Sequence, residues 1–146
     1  MTGLCFVDTN VLLYQKDQLA PEKQARATEW MAWLWREGSG RLGYQVLVEY
    51  YANVRRLDPE APLDEIRTDI TTLLEWNPLP VERQVIEAAW QVQEQNGLSW
   101  WDSLIVAAAD LSGCDYLLSE DLHDGQLFGR VRVVDPFRHT PAGLPR

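Results

Sequence analysis

The chain predicts an α/β fold: a central, mostly parallel twisted sheet of about four to five short strands, with helices on both faces. Apolar runs at residues 4–7, 116–118 and 131–134 have the length and character of strands buried on both sides. Amphipathic helical stretches separate them, and that alternation builds parallel sheets. The length of 146 residues suits one domain, expected over residues 1–138 with an irregular tail at 139–146.

Residues 4–7 read as the first strand and leave Asp8 at its carboxyl end. Residues 11–14 start a short helix, and Pro21 suits the first position of a second that runs to Glu37 and stops at Gly38. Trp30, Met31, Trp33 and Leu34 give that helix its apolar face. Residues 41–44 are a short strand candidate, followed by a helix at 45–57 that the Asp58-Pro59 turn ends. Residues 62–76 and 81–96 form two more amphipathic helices, the latter closed by Gly97. Residues 102–111 are apolar almost all round, as in a buried central helix. A strand at 116–118, a polar loop and a last strand at 131–134 complete the domain, and Pro136, Pro141, Gly143 and Pro145 mark the tail as irregular and mobile.

Composition narrows the function. Hydrophobic residues make up 46% and charged residues 24%, and no apolar run nears the roughly 20 residues of a membrane span, so no membrane partner is expected. The start of the chain lacks the basic and apolar regions of a secretory signal, which predicts a cytoplasmic location. Cys5 and Cys114 stand alone and read as small buried hydrophobes. The net charge of −9 argues against a generic nucleic-acid binder, unless part of it belongs to an acidic cluster that bound cations neutralise. Lys16 and Lys23 are the only lysines, while Arg55, Arg56, Arg130, Arg132 and Arg138 could supply local basic patches.

Four carboxylates follow or sit on elements that lead to one place. These are Asp8 after the first strand, Glu49 on a helix, Asp102 opening a helix, and Asp121 after the strand at 116–118. Strand ends of an open α/β sheet are where such side chains meet, and an oxygen-only set suits Mg²⁺ or Mn²⁺. Each acid also has a plain structural reading. Asp8, like Thr9 beside it, can cap a helix. Glu49 lies in a polar seam with Gln45, Asn53 and Arg56 that is otherwise a wet face. Asp102 completes a capping pattern with Ser99 and favours the helix dipole. Glu120 and Asp124 compete with Asp121 in the same loop, where Asp124-Gly125 is also a turn signal and His123 reads as merely exposed.

Four segments, residues 6–14 (FVDTNVLLY), 45–56 (QVLVEYYANVRR), 101–109 (WDSLIVAAA) and 117–125 (LLSEDLHDG), together resemble the PIN-domain family, and within it the VapC-type toxins of bacterial toxin–antitoxin pairs. The resemblance implies a PIN-like α/β fold and metal-dependent hydrolysis of RNA. It places Asp8, Glu49, Asp102 and Asp121 in the acidic quartet, with Thr9, Asn10, Asn53, Arg56 and Ser119 in supporting positions. It further implies a homodimer and a cognate antitoxin that covers a hydrophobic groove. With Mg²⁺ or Mn²⁺ as the expected cofactor, strand-end placement assigns Asp8 and Asp102 to direct ligation, Asp121 to ligation directly or through water, and Glu49 to water-bridged ligation or orientation of the attacking water. In one departure, Leu42, Gly43 and Tyr44 stand where such proteins often carry a hydroxyl before the glutamate helix. Two other readings compete: a phosphotransfer or phosphatase domain using Asp8, and a non-catalytic interaction module built on the seven tryptophans.

Overall fold

The computed structural model describes residues 3–144. Met1 and Thr2, with the start-of-chain expectation that rests on them, and Pro145 and Arg146 of the expected tail lie outside the described residues. Within them the chain alternates β1 (Cys5–Val7), α1 (Thr9–Tyr14), α2 (Pro21–Glu37), β2 (Gly40–Arg41), α3 (Tyr44–Leu57), α4 (Leu63–Leu73), α5 (Arg83–Asn96), α6 (Trp100–Leu111), β3 (Tyr116–Leu118), β4 (Leu127–Phe128) and β5 (Val131–Val134). The five strands form one sheet in the order β2-β1-β3-β5-β4, parallel except for β4 against β5. Every residue of β1 is buried, and successive strand side chains point to opposite faces, so both faces of the sheet are covered.

The strand order positions the site. From β1 the chain crosses to β2 on one side, and from β3 it continues to β4 and β5 on the other. The connections therefore diverge between the carboxyl ends of β1 and β3 and leave a crevice there. Register places the two ends side by side, because Val7 pairs with Leu118 and the Asp8 amide donates to the Leu118 carbonyl at 3.1 Å. Asp8 and Ser119 are the next residues of each strand.

Several elements differ from their sequence reading. β2 is Gly40–Arg41 rather than 41–44, since Gly43 is already the extended residue before α3. A Cβ at Gly40 would collide with the Trp76 ring, so only glycine lets this edge strand lie under that indole. The stretch at 62–76 breaks at Leu73 into a tighter turn at Leu74–Trp76, and α5 begins at Arg83. The polar loop after β3 contains β4, whose two residues are too few to show a period. Gly129, at φ 62°, turns the chain back so that β4 can pair antiparallel with β5. The last long helix begins at Trp100, capped by the Ser99 hydroxyl, so Asp102 is its third residue rather than its first.

Burial follows the apolar periods. Trp30, Met31 and Leu34 of α2 are buried, as are residues 103–109 of α6, and Cys5 and Cys114 are free, buried thiols that burial holds well above their ordinary pKa. The segment after Pro136, read as an irregular, mobile tail, is held as far as the description reaches. The Trp30 indole donates to the carbonyls of Pro136 at 2.8 Å and His139 at 3.0 Å, and the Arg26 guanidinium donates to the same His139 carbonyl at 3.0 Å. Pro141 is buried and Leu144 packs against the core. Local proline and glycine content carries no record of this clasp. Trp30→Phe removes the shared donor, and we expect it to lower stability by about 2–4 kcal/mol in urea denaturation and to open residues 137–144 to proteolysis. A loss under about 0.5 kcal/mol would show that the indole N–H is not what holds the segment.

Candidate functional site

Asp8 is where local and long-range structure meet. Its extended backbone ends β1 and starts α1, and its Oδ1 accepts from the Thr9 amide at 2.7 Å, so the capping role is real. Its Oδ2 accepts from the Ser119 hydroxyl at 2.7 Å across the crevice. Ser119 is fully buried, and its amide is tied to the Val134 carbonyl of β5 at 3.1 Å. The cap of a six-residue helix is thus also the floor of the crevice.

Asn10 bridges the crevice. Its Nδ2 donates to Asp121 Oδ2 at 3.1 Å, with longer approaches of 3.4 Å to Asp8 Oδ2 and Ser119 Oγ. Its Oδ1 is buried and has no hydrogen-bond partner. The Asp121 amide donates to Ser119 Oγ at 3.2 Å, which fixes the start of the loop. On the other wall, Glu49 Oε2 accepts from the Thr9 hydroxyl at 2.7 Å and Oε1 from the Gln45 amide at 2.9 Å. Asn53, the next residue of the polar seam, donates to the main-chain carbonyl of Glu49 at 2.8 Å, while Arg56 is exposed further along α3.

Asp102 sits half-buried in the first turn of α6, its amide donating to the Ser99 hydroxyl at 3.1 Å. Burial raises its pKa, against the Ser99 hydrogen bond, and the charges of Asp121 and Glu49 raise it further. Asp8 responds to the same neighbours. Burial pushes its pKa up to about 7, against the hydrogen bonds from Ser119 and Thr9, and Asp121 and Glu49 add to the rise. Asp8 and Asp102 therefore both feel the charges of Asp121 and Glu49, although the residues come from four separate segments.

The other two acids of the loop are drawn elsewhere. Glu120 pairs with Lys23 of α2 at 2.6 Å. Asp124 accepts from the Asp135 amide at 2.8 Å and meets His139 Nε2 at 2.8 Å. The structure therefore links Asp121 alone of the three to Asp8. Sequence reasoning missed Lys23 and His139, and it had no local signal for either, since their partners lie 97 and 15 residues away.

As placed, no three His, Cys, Asp or Glu residues among those described converge closely enough to hold a metal ion. The donor chemistry is nevertheless oxygen-only, and an uncompensated Asp8 destabilises the fold. A carboxyl whose folded pKa is raised favours folding while protonated. That contribution is complete below the unfolded pKa near 4 and is lost as pH rises through about 7. We expect Asp8→Asn in EDTA to be more stable than wild type at pH 8, by at most about 4 kcal/mol, with the gain vanishing near pH 4. Thermal melts at the two pH values check this, and a gain that does not depend on pH would sink it.

Comparison with known proteins agrees with this architecture. No curated protein sequence matches the chain. Among solved structures, a chain of a toxin–antitoxin complex from Klebsiella pneumoniae superposes with a TM-score of 0.63 over 90% of this chain and 97% of that one, at 15% identity. That is a likeness of fold. The PIN-domain family model matches residues 5–131, from the first residue of β1 to the first of β5. With the crevice between β1 and β3 and most of its length inside that match, the chain belongs to the PIN-domain family.

Proposed function

We propose that this PIN domain is an Mg²⁺- or Mn²⁺-dependent endoribonuclease and the toxin of a VapC-type toxin–antitoxin pair. The observation that carries the reading is that Asp8 and Asp102, from separate segments, both have pKa values raised in part by the charges of the same two acids, Asp121 and Glu49. Family membership supports a nuclease, and the fold shared with the Klebsiella pneumoniae toxin–antitoxin chain is in keeping with the toxin role.

The residues fit a hard divalent cation. All donors are oxygens, positive charge would relieve the repulsion among the acids, and the unpartnered Asn10 Oδ1 is a further oxygen at the site. Asp8 and Asp102 would hold the ion directly, with Asp121 holding it directly or through water. An ion held there supplies positive charge to the phosphate and lowers the pKa of an attacking water. The chain's own groups do the remaining work. Ser119 and the Thr9 amide fix both oxygens of Asp8. Thr9 and Gln45 hold both oxygens of Glu49, which would place it to orient a water or to reach the ion through one. Exposed Arg55 and Arg56 at the end of α3 are available to the RNA backbone, and no protein nucleophile is needed.

Phosphotransfer through Asp8 is disfavoured, because Lys16 pairs with Asp69 and Lys23 with Glu120, which leaves neither lysine at Asp8. A partner role accompanies the enzyme. Tyr44, Val48, Val81 and Trp101 are exposed, Trp101 by 63%, along a groove that reaches Glu49. An antitoxin that covers this groove and offers a basic side chain to the acids, or a second copy of the chain, matches its chemistry.

The test is cleavage of structured RNAs and single-stranded DNA with Mg²⁺, Mn²⁺ or EDTA. We expect metal-dependent RNA cleavage that Asp8→Asn and Asp102→Asn each reduce by roughly 100-fold or more with folding intact, since such ions supply several kcal/mol to the transition state. Near wild-type rates in both variants would refute the assignment. Without RNA, Mn²⁺ at about 100 times its dissociation constant should stabilise wild type by about 2.7 kcal/mol in melting experiments and leave Asp8→Asn nearly unmoved.

A further inference from the structure

Lys23 lies in the first turn of α2, outside the acidic crevice, yet it is one of the most heavily engaged side chains on the surface. Its ammonium is 2.6 Å from Glu120 Oε2 and 3.3 Å from the Tyr14 hydroxyl. It also stands over the Tyr14 ring at 4.6 Å and the Phe137 ring at 5.2 Å, and those rings meet edge to face at 5.0 Å. The cation thus ties together α1, α2, the loop after β3 and the segment after β5. Its partner, Glu120, is the chain neighbour of Asp121.

We infer that Lys23 is a positioning residue: its pair with Glu120 selects which acid of the loop faces the crevice and holds Asp121 against Asn10. This rests on the metal-dependent reading above. The loop leaves β3 with two acids in a row, and either could turn toward Asp8. Two attachments separate them. The Ser119 hydroxyl receives the Asp121 amide, and Lys23 draws Glu120 toward α2. With Glu120 held on that side, Asp121 Oδ2 meets the Asn10 amide at 3.1 Å. Without Lys23, two neighbouring carboxylates would compete for one position, and neither would be preorganised.

Electrostatics predicts the opposite sign, which makes the idea testable. Lys23 is a cation near an acidic site, so deleting its charge alone would strengthen metal binding, whereas losing its positioning would weaken it. The experiment is calorimetric titration of the whole protein with Mn²⁺ in the absence of RNA, together with melting temperature and the Mn²⁺ dependence of cleavage. Lys23→Met should weaken Mn²⁺ binding by about 10-fold, in line with other groups that orient a metal ligand. Lys23→Arg, which keeps the pair, should stay within about 2-fold of wild type. The double variant Lys23→Met with Glu120→Met leaves net charge unchanged and removes the competing carboxylate, so it should recover most of the Mn²⁺ affinity lost in Lys23→Met; a double variant as weak as Lys23→Met overturns the selection of Asp121 over Glu120. Unchanged or tighter binding in Lys23→Met overturns the inference, as does a drop in melting temperature with Mn²⁺ affinity intact. A wild-type protein that binds no Mn²⁺ overturns both this inference and the metal-dependent reading. Weakening in Lys23→Met, with cleavage indifferent to Asp8→Asn, would keep the positioning role and remove the nuclease.

Discussion

The parallel pairing of β1 with β3 is the constraint on which everything else depends. With Val7 opposite Leu118, the two strands end together, and the next residue of each, Asp8 and Ser119, must share the crevice floor. A shift of one residue would carry Asp8 to the other face and bury a carboxylate in the core. The hydroxyl of Ser119 both donates to Asp8 and accepts from the Asp121 amide, so one buried oxygen aligns two acids from strands far apart in sequence. Thr9 extends the same frame to Glu49, and the N-terminal turn of α6 brings Asp102 from the remaining side.

The frame works against stability. Burial penalises the charge on Asp8, and the charges of Asp121 and Glu49 add to that penalty. The compensation visible in the chain is local: hydroxyl and amide donors on Asp8 and Glu49, and for Asp102 the Ser99 side chain together with the N-terminus of α6, which favours negative charge. These bonds reduce the repulsion without removing it, which is the state expected of a site built to receive positive charge.

Much of this was legible in the chain itself, for identifiable reasons. Strands buried on both faces announce themselves as short apolar runs, and Pro21 and Gly38 bracket α2 where their fixed and permissive backbones require. Asp8 could be placed because a strand end is a local property, and Glu49 because helical period aligns it with Gln45 and Asn53. What escaped has no local signature. β4 has two residues and exists only because β5 offers an edge. Lys23 and His139 depend on partners that only the folded chain brings near. Glu120, Asp121 and Asp124 were indistinguishable by spacing, and the structure separates them by what each one holds. The clasp of Trp30 on the segment after Pro136 was equally invisible, since a tryptophan on an apolar face gives no hint of where its N–H points.

The Ser119 amide bond to the Val134 carbonyl has a consequence for the order of synthesis. Asp8 emerges from the ribosome first, its Ser119 partner follows 111 residues later, and the bond that seats Ser119 waits for β5. At about 5–20 residues per second, roughly 6–20 seconds pass between the appearance of the first acid and that of the hydroxyl that aligns it. Contacts this distant form late, because the intervening loop must first be closed. The crevice floor therefore has no partly built version on the nascent chain: Asp8 stays without its buried hydroxyl partner until β3 and β5 have both been made.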